Sequence, residues 1–125
     1  MRLTLVSDEK TILSNPDEVV RLACEGQITA DDHDASKEPI RSLLGPLIFS
    51  RTVLLNMEKA TYISSSGVSW LLVCHKQFNQ SKGRFVLHTV PPVVAQVLDM
   101  LRMSMILTIA RDETEALRLS SGGKA

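Results

Sequence analysis

The chain has 125 residues, of which 44% are apolar and 22% charged, so its length and composition fit one globular domain and exclude intrinsic disorder. Fourteen basic and fourteen acidic residues give a formal net charge of zero, which argues against nucleic acids and anionic membranes as partners. The apolar runs are far shorter than the ~20 residues of a membrane span, and the N-terminus lacks the apolar core of a secretory signal, so we expect a cytoplasmic protein.

The N-terminal third of the chain predicts two strands and a short helix. Residues 2–6 alternate polar and apolar, and residues 18–24 are rich in Val and Leu. Asn15-Pro16-Asp17 supplies turn chemistry between them, which predicts a hairpin. A polar stretch over residues 29–34 follows, and a first helix is predicted around Ile40, Leu43 and Leu44.

The remaining sequence alternates strands and helices. Residues 52–57 are apolar on both faces and predict a central strand. A second helix begins at Ser65 and ends near residues 81–83, and its predicted inward face is Val68, Leu71, Leu72, His75 and Phe78. Then come a strand over residues 84–90, a helix opened by Pro91-Pro92, a short strand over 106–109 and a helix over 112–119.

This order, ββαβαβαβα, predicts a single α/β domain with a mixed central sheet of four to five strands and about four helices. We expect the domain to span residues 1–119. The loose composition of residues 120–125 predicts a disordered tail.

Ile63-Ser64-Ser65-Ser66-Gly67 stands out because three serines occupy a strand-to-helix junction. A serine there caps the helix by accepting a hydrogen bond from a free backbone N–H, which contributes about 1 kcal/mol. A helix N-terminus also favours a phosphate group, because its dipole and its free N–H groups are positive. Capping and phosphorylation are therefore both open interpretations of this segment.

Other candidate sites are weaker. No glycine precedes the serines at the hydrolase spacing, and no Gly-rich phosphate loop carries a lysine. The group Asp31, Asp32, His33 and Asp34 has no metal-ligand spacing, while His75, His88, Cys24 and Cys74 fit packing positions. We expect no enzyme activity, no cofactor and no metal.

Trp70 lies about one helical turn beyond Ser65 and Ser66 and outside the predicted inward face. An exposed tryptophan beside the serines would suit a protein interface. The alternative is a ring that folds over the edge of the core.

The segment from Tyr62 to Val68 resembles the Asp-Ser-Ser/Thr-Gly-(Leu/Val) motif of STAS domains, the fold of bacterial anti-sigma factor antagonists. The resemblance extends from about residue 18 to 119. Gly26-Gln27-Ile28 is similar to the family's Gly-Glu-Leu, residues 53–57 to its central strand, and residues 92–100 to its third helix.

The resemblance implies an antagonist that binds an anti-sigma factor, itself a serine kinase of the histidine-kinase-like ATPase type, by partner switching. Ser65 would be the phosphoacceptor, with Ser64 and Ser66 as alternatives. Phosphorylation would prevent binding. The implied partner surface comprises Ser64, Ser65, Ser66, Gly67 and Trp70.

The chain departs from the family pattern at three places, one of which is Gln27-Ile28-Thr29, where the usual acidic pair is lacking. Ser64 stands in place of the aspartate, and Arg102 stands where many relatives have glycine. The alternative function is therefore a phosphorylation-independent STAS module, either a scaffold or a subunit of a transporter complex.

Overall fold

In the computed structural model, which describes residues 2–15, 17–29 and 39–122, five strands form one sheet. The strands are β1 (Arg2–Leu5), β2 (Val20–Ile28), β3 (Thr52–Ile63), β4 (Arg84–His88) and β5 (Thr108–Ala110). The described helices are α1 (Glu9–Ser14), α2 (Pro39–Leu44), α3 (Ser65–Gln80), α4 (Pro92–Met100) and α5 (Glu113–Gly122). Short 3-10 turns occupy Pro46–Ser50 and Met103–Met105.

The strands lie in the sheet in chain order, with β1 antiparallel to β2 and all other pairs parallel. The α/β class and the mixed sheet are confirmed. The antiparallel pairing of the predicted hairpin is present, and its connection also contains α1, which the sequence did not predict. Asp8 starts this helix by accepting a hydrogen bond from the Lys10 N–H.

Helices cover the two faces of the sheet unequally. The connections between parallel strands are right-handed. Because β2, β3, β4 and β5 follow one another across the sheet in chain order, the helices that connect them lie on the same face. The main core lies on that face, where β2, β3 and β4 pack against α3 and α4. On the other face α5 covers a smaller cluster formed by Leu54, Val86, Ala110 and Ala116.

The third strand is longer than predicted. Its first five residues, from Thr52 to Asn56, pair with β4, whereas the following residues through Ile63 pair only with β2. The sequence did not predict this extension, because exposed polar residues such as Glu58 and Lys59 interrupt the apolar pattern of the strand. The extension carries the chain beyond the end of β4 before α3 begins.

The final helix also differs from the prediction. Helix α5 continues to Gly122, and Ser120 is buried, so the expectation of disorder from residue 120 is wrong for residues 120–122. The reason is that Ser120 packs inside the protein and donates its hydroxyl to the Leu117 carbonyl at 2.9 Å. Residues 123–125 lie outside the described part of the chain. Within that part, none of the helices is long and apolar enough to cross a membrane.

Candidate functional site

The serine segment lies where the ends of β2 and β3 meet the start of α3. Ile28 and Ile63 are paired at the ends of their strands. The next residue, Ser64, donates its backbone N–H to the Ile28 carbonyl at 3.1 Å. The main chain of β2 therefore fixes the point at which α3 starts.

Ser64 is the N-cap of α3. Its Oγ accepts a hydrogen bond from the Gly67 N–H at 3.1 Å and donates to the Ile28 carbonyl at 3.3 Å. The Ser66 Oγ lies 2.8 Å from the Ser64 Oγ. Either hydroxyl can donate in the bond between the two serines, because the Ile28 carbonyl and the Ser66 Oγ are both within reach of the single Ser64 proton. The hydroxyls of Ser64 and Ser66 are thus both engaged.

Gly67 allows this close approach. A Cβ at residue 67 would lie 2.2 Å from the Ile28 carbonyl oxygen and 2.9 Å from Cγ1 of Ile63. Real Cβ atoms do not approach other atoms so closely, so any other residue would push α3 away from the strand ends. Gly67 is buried and allows the first turn of α3 to pack directly against the strand ends.

Ser65 differs from its two neighbours. It is the first residue of α3, its side chain is exposed, and its hydroxyl makes no hydrogen bond to the described part of the chain. At 100° per residue, Ser65 falls on the same side of α3 as the exposed residues Ser69 and Lys76. The hydroxyl of Ser65 is therefore accessible, and it lies at the positive end of the α3 dipole.

Trp70 is not part of the exposed surface. Its side chain is only 3% exposed and belongs to the main core, so the expectation of a surface anchor is wrong. The buried face of α3 is wider than predicted and is rotated toward Gly67, Trp70, Cys74 and Phe78, whereas Leu72 and His75 are only half-buried. The ring lies in the core, which agrees with the alternative interpretation of this residue.

The histidines and cysteines have structural surroundings. His88 is buried at the end of β4, with its Nδ1 2.8 Å from the Thr89 Oγ1. Burial lowers the pKa of His88, while the negative charges of Glu113 and Asp112 act in the opposite direction. Burial raises the pKa of the Cys24 thiol to about 12, which keeps the sulfur protonated and unreactive.

The other candidates do not assemble into a site. His75 accepts a hydrogen bond at Nε2 from the Asn79 amide at 3.1 Å. Cys24 and Cys74 are both buried, and neither belongs to a disulfide within the described residues. Among residues 2–15, 17–29 and 39–122, no three His, Cys, Asp or Glu side chains are placed to hold a metal. The group from Asp31 to Asp34 lies outside the described residues.

A family model for the STAS domain matches residues 10–116. The chain belongs to the STAS domain family. This match includes the serine segment, the long β3 strand and the helix that Ser64 caps. It confirms the family that the sequence motifs indicated.

Solved structures of anti-sigma factor antagonists share the fold. SpoIIAA in its unphosphorylated form is 24% identical with a TM-score of 0.62, and the match covers 97% of this chain and 96% of that one. An antagonist from Mycobacterium paratuberculosis is 12% identical with a TM-score of 0.66, over 95% and 94%. TM1081 of Thermotoga maritima, a candidate antagonist, is 19% identical with a TM-score of 0.68, over 82% and 86%. Identities this low show a shared fold.

The structure explains how the α3 cap tolerates Ser64, and it shows that Arg102 occupies a backbone conformation that favours glycine. A serine at position 64 supplies the oxygen that accepts the Gly67 N–H, so the cap survives without an aspartate. Arg102 has φ of 56°, in the left-handed region where glycine is favoured. The role of the Ile28 carbonyl is not visible in the sequence, because a main-chain acceptor 36 residues away leaves no side-chain signal.

Proposed function

We propose that this STAS domain is an anti-sigma factor antagonist, and that the surface around Ser65 binds an anti-sigma factor. The observation that carries the proposal is the contrast among the three serines. Ser64 and Ser66 use their hydroxyls within the helix start, whereas the Ser65 hydroxyl is exposed and makes no hydrogen bond to the described residues. A kinase can reach Ser65 without unfolding the α3 cap.

Phosphorylation of Ser65 would control binding. The added phosphate carries about two negative charges at neutral pH, which oppose burial in a desolvated contact. The α3 N-terminus stabilises the same charges in the unbound protein through its dipole. Both effects favour release of the partner. This is partner switching, in which the partner is also the serine kinase, of the histidine-kinase-like ATPase type, and supplies the catalysis and the ATP.

The proposal assigns no reaction to the chain itself. Ser65 is a substrate residue, Ser64 and Ser66 hold the helix start, and Gly67 permits the close packing. Such a regulator would act in the cytoplasm, where sigma factors meet RNA polymerase. Trp70 has no contact role in this proposal because it is buried.

A second candidate function is a STAS module whose binding does not depend on phosphorylation. The observation that favours it is Ser64 in place of the family aspartate. The Ser64 hydroxyl makes a cap and carries no charge, so the segment lacks the acid that neighbours the phosphoacceptor in the family motif. On this account the serines only stabilise α3, and the domain is a scaffold or a transporter-complex subunit.

Affinity capture from the native cytosol separates the two functions. The baits are wild type, Ser65→Ala, Ser65→Glu and the matched control Ser69→Glu, which places the same charge on the same face of α3. The antagonist function predicts a kinase-type anti-sigma factor retained by Ser65→Ala and Ser69→Glu and lost with Ser65→Glu. Equal capture of one partner by all four baits supports the phosphorylation-independent module.

Phosphopeptide mapping identifies the modified serine. The captured kinase is incubated with ATP and with wild type, Ser65→Ala or Ser64→Asp. We expect phosphate on Ser65 in the wild type, none in Ser65→Ala and an altered rate in Ser64→Asp. Phosphate on Ser64 or Ser66 would overturn the choice of Ser65, and no phosphate in any variant would overturn the switch.

A further inference from the structure

A cavity of about 350 Å³ lies at the opposite end of α3 from Ser65. It forms because β5 is shorter than β4. Pairing between the two strands begins at Val86 and Thr108, so Arg84 and Phe85 at the start of β4 border open space. The end of α3 and the end of α5 close the sides through His75, Asn79, Leu119 and Ser120. Its volume falls within the range of small-molecule sites.

The charges around this cavity have one sign. Lys82 and Arg84 line it, and no Asp or Glu does so among the described residues. Neither cation pairs with a carboxylate in the described chain. The remaining polar lining consists of His75, Asn79, Thr108 and Ser120. The chain as a whole has zero formal net charge, so this arrangement is a local concentration of positive charge.

Backbone contacts fix the turn that carries the two cations. The Gly83 N–H donates to the Phe78 carbonyl at 2.8 Å, and the Arg84 N–H donates to the Arg51 carbonyl at 3.0 Å. A Cβ on Gly83 would lie 2.2 Å from the Phe49 carbonyl oxygen. Lys82 has φ of 65°, which places it in the left-handed region. The cations are therefore presented from a rigid turn, which lowers the entropic cost of binding.

Three carbonyl groups at the end of α3 are already engaged in hydrogen bonds, which weakens their repulsion of an anion. The carbonyls of Gln77, Phe78 and Asn79 accept hydrogen bonds from the N–H groups of Ser81, Gly83 and Lys82 respectively. A second cavity, of about 190 Å³, lies on the other side of the same turn and adds Arg51 to the lining. Asp17 is the one carboxylate among its described residues. Positive charge thus dominates on both sides of the turn.

We propose that the cavity at the start of β4 binds a small molecule that carries an oxyanion group, with Arg84 and Lys82 as the charged contacts. A guanidinium offers paired N–H donors to phosphate or carboxylate oxygens, and an ammonium adds a point charge. The site lies at the amino end of β4, whereas Ser65 follows the carboxyl end of the parallel strand β3. It is therefore separate from the serine segment.

The test is a titration of the ¹⁵N-labelled full chain, followed by amide chemical shifts. The probes are inorganic phosphate, sulfate and acetate, each added at constant ionic strength with chloride as the reference. We expect saturable shifts at Lys82–Val86 and Ser120 for an oxyanion probe. The phosphate and acetate arms distinguish a phosphate ligand from a carboxylate ligand.

Variants show whether the two cations form the site. Arg84→Gln and Lys82→Asn each remove one charge, and asparagine also tolerates the left-handed backbone of Lys82. We expect each to weaken binding by about tenfold, the effect of losing one charge-assisted hydrogen bond. Lys76→Gln, an exposed α3 cation that does not line the cavity, should bind as the wild type does.

The spectra and the affinities of the three variants together test the proposal. Dispersed amide spectra of the variants establish that they fold. Shifts that do not saturate with any probe, or that weaken equally in Lys76→Gln, would overturn the proposal. Unchanged affinity in both Arg84→Gln and Lys82→Asn would also overturn it.

Discussion

Gly67 and Ile28 meet at the start of α3, where a Cβ on residue 67 would lie 2.2 Å from the Ile28 carbonyl oxygen. The same carbonyl accepts hydrogen bonds from the Ser64 backbone N–H and the Ser64 hydroxyl. The close approach and the hydrogen bonds therefore belong to one arrangement. It holds the end of β2 against the first turn of α3 and leaves Ser65 on the outside.

Gly67→Ala should destabilise the fold. The added methyl group meets backbone atoms rather than a flexible side chain, so α3 must shift, at a cost of about 1 to 3 kcal/mol. Urea unfolding measures the change in free energy of unfolding. Ser69→Ala, at an exposed position of the same helix, is the control and should stay within about 0.5 kcal/mol of wild type. Equal stability of the two variants would contradict the close contact.

Ser64→Ala should lower the free energy of unfolding by about 1 kcal/mol, because the Gly67 N–H loses its acceptor. Ser64→Asp restores an acceptor oxygen and should recover most of this loss. Ser65→Ala is the matched control, since the Ser65 hydroxyl caps nothing. Thermal unfolding of the three variants measures the differences. A larger loss in Ser65→Ala than in Ser64→Ala would show that the cap is assigned to the wrong serine.

Arg102→Gly should stabilise the protein. Arg102 has φ of 56°, and the left-handed conformation costs a non-glycine residue roughly 1 to 2 kcal/mol. Glycine removes that cost, but it raises the entropy of the unfolded chain, which lowers stability by about 0.5 to 1 kcal/mol. The expected net increase in the free energy of unfolding is about 0.5 to 1 kcal/mol. Arg102→Ala keeps the strain and should show no gain in denaturant unfolding. Equal effects of glycine and alanine would argue against backbone strain at this position.

The stability of the protein should fall as the pH falls through the ordinary histidine range. Burial lowers the pKa of His88 below 6.5 in the folded state, so the unfolded chain binds the proton more readily. The stability that the protein gains from keeping His88 neutral is fully present at pH values above the pKa of this histidine in the unfolded chain. It is lost as the pH decreases from the unfolded pKa toward the lower folded pKa.

Urea unfolding between about pH 7.5 and about pH 5.5 measures this dependence. His88→Gln should reduce the slope of stability against pH, whatever its effect on stability at neutral pH. His75→Gln is the control because His75 is only half-buried. A wild-type slope retained in His88→Gln would assign the dependence to another group.

From β2 onward, the sequence by itself determined the order of strands and helices, because hydrophobic periodicity and turn residues are local properties. Residues 52–57 predicted a central strand from their continuous apolar character, and β3 contains them. The Ser64–Gly67 segment predicted a helix start with a serine cap, since capping acts over three residues. Ser65 was correctly placed on the outer face, because the predicted inward face excluded it.

Tertiary structure decided the features that depend on distant parts of the chain. Trp70 is buried because the core-facing side of α3 is wider than its sequence pattern suggested. Helix α5 continues past Leu119, and Ser120 is buried. Glycine is required at position 67 because the Ile28 carbonyl leaves no room for a Cβ. Lys82 and Arg84 line a cavity because β5 is shorter than β4. These are packing relationships between separate elements, and the local periodicity of one element does not contain them.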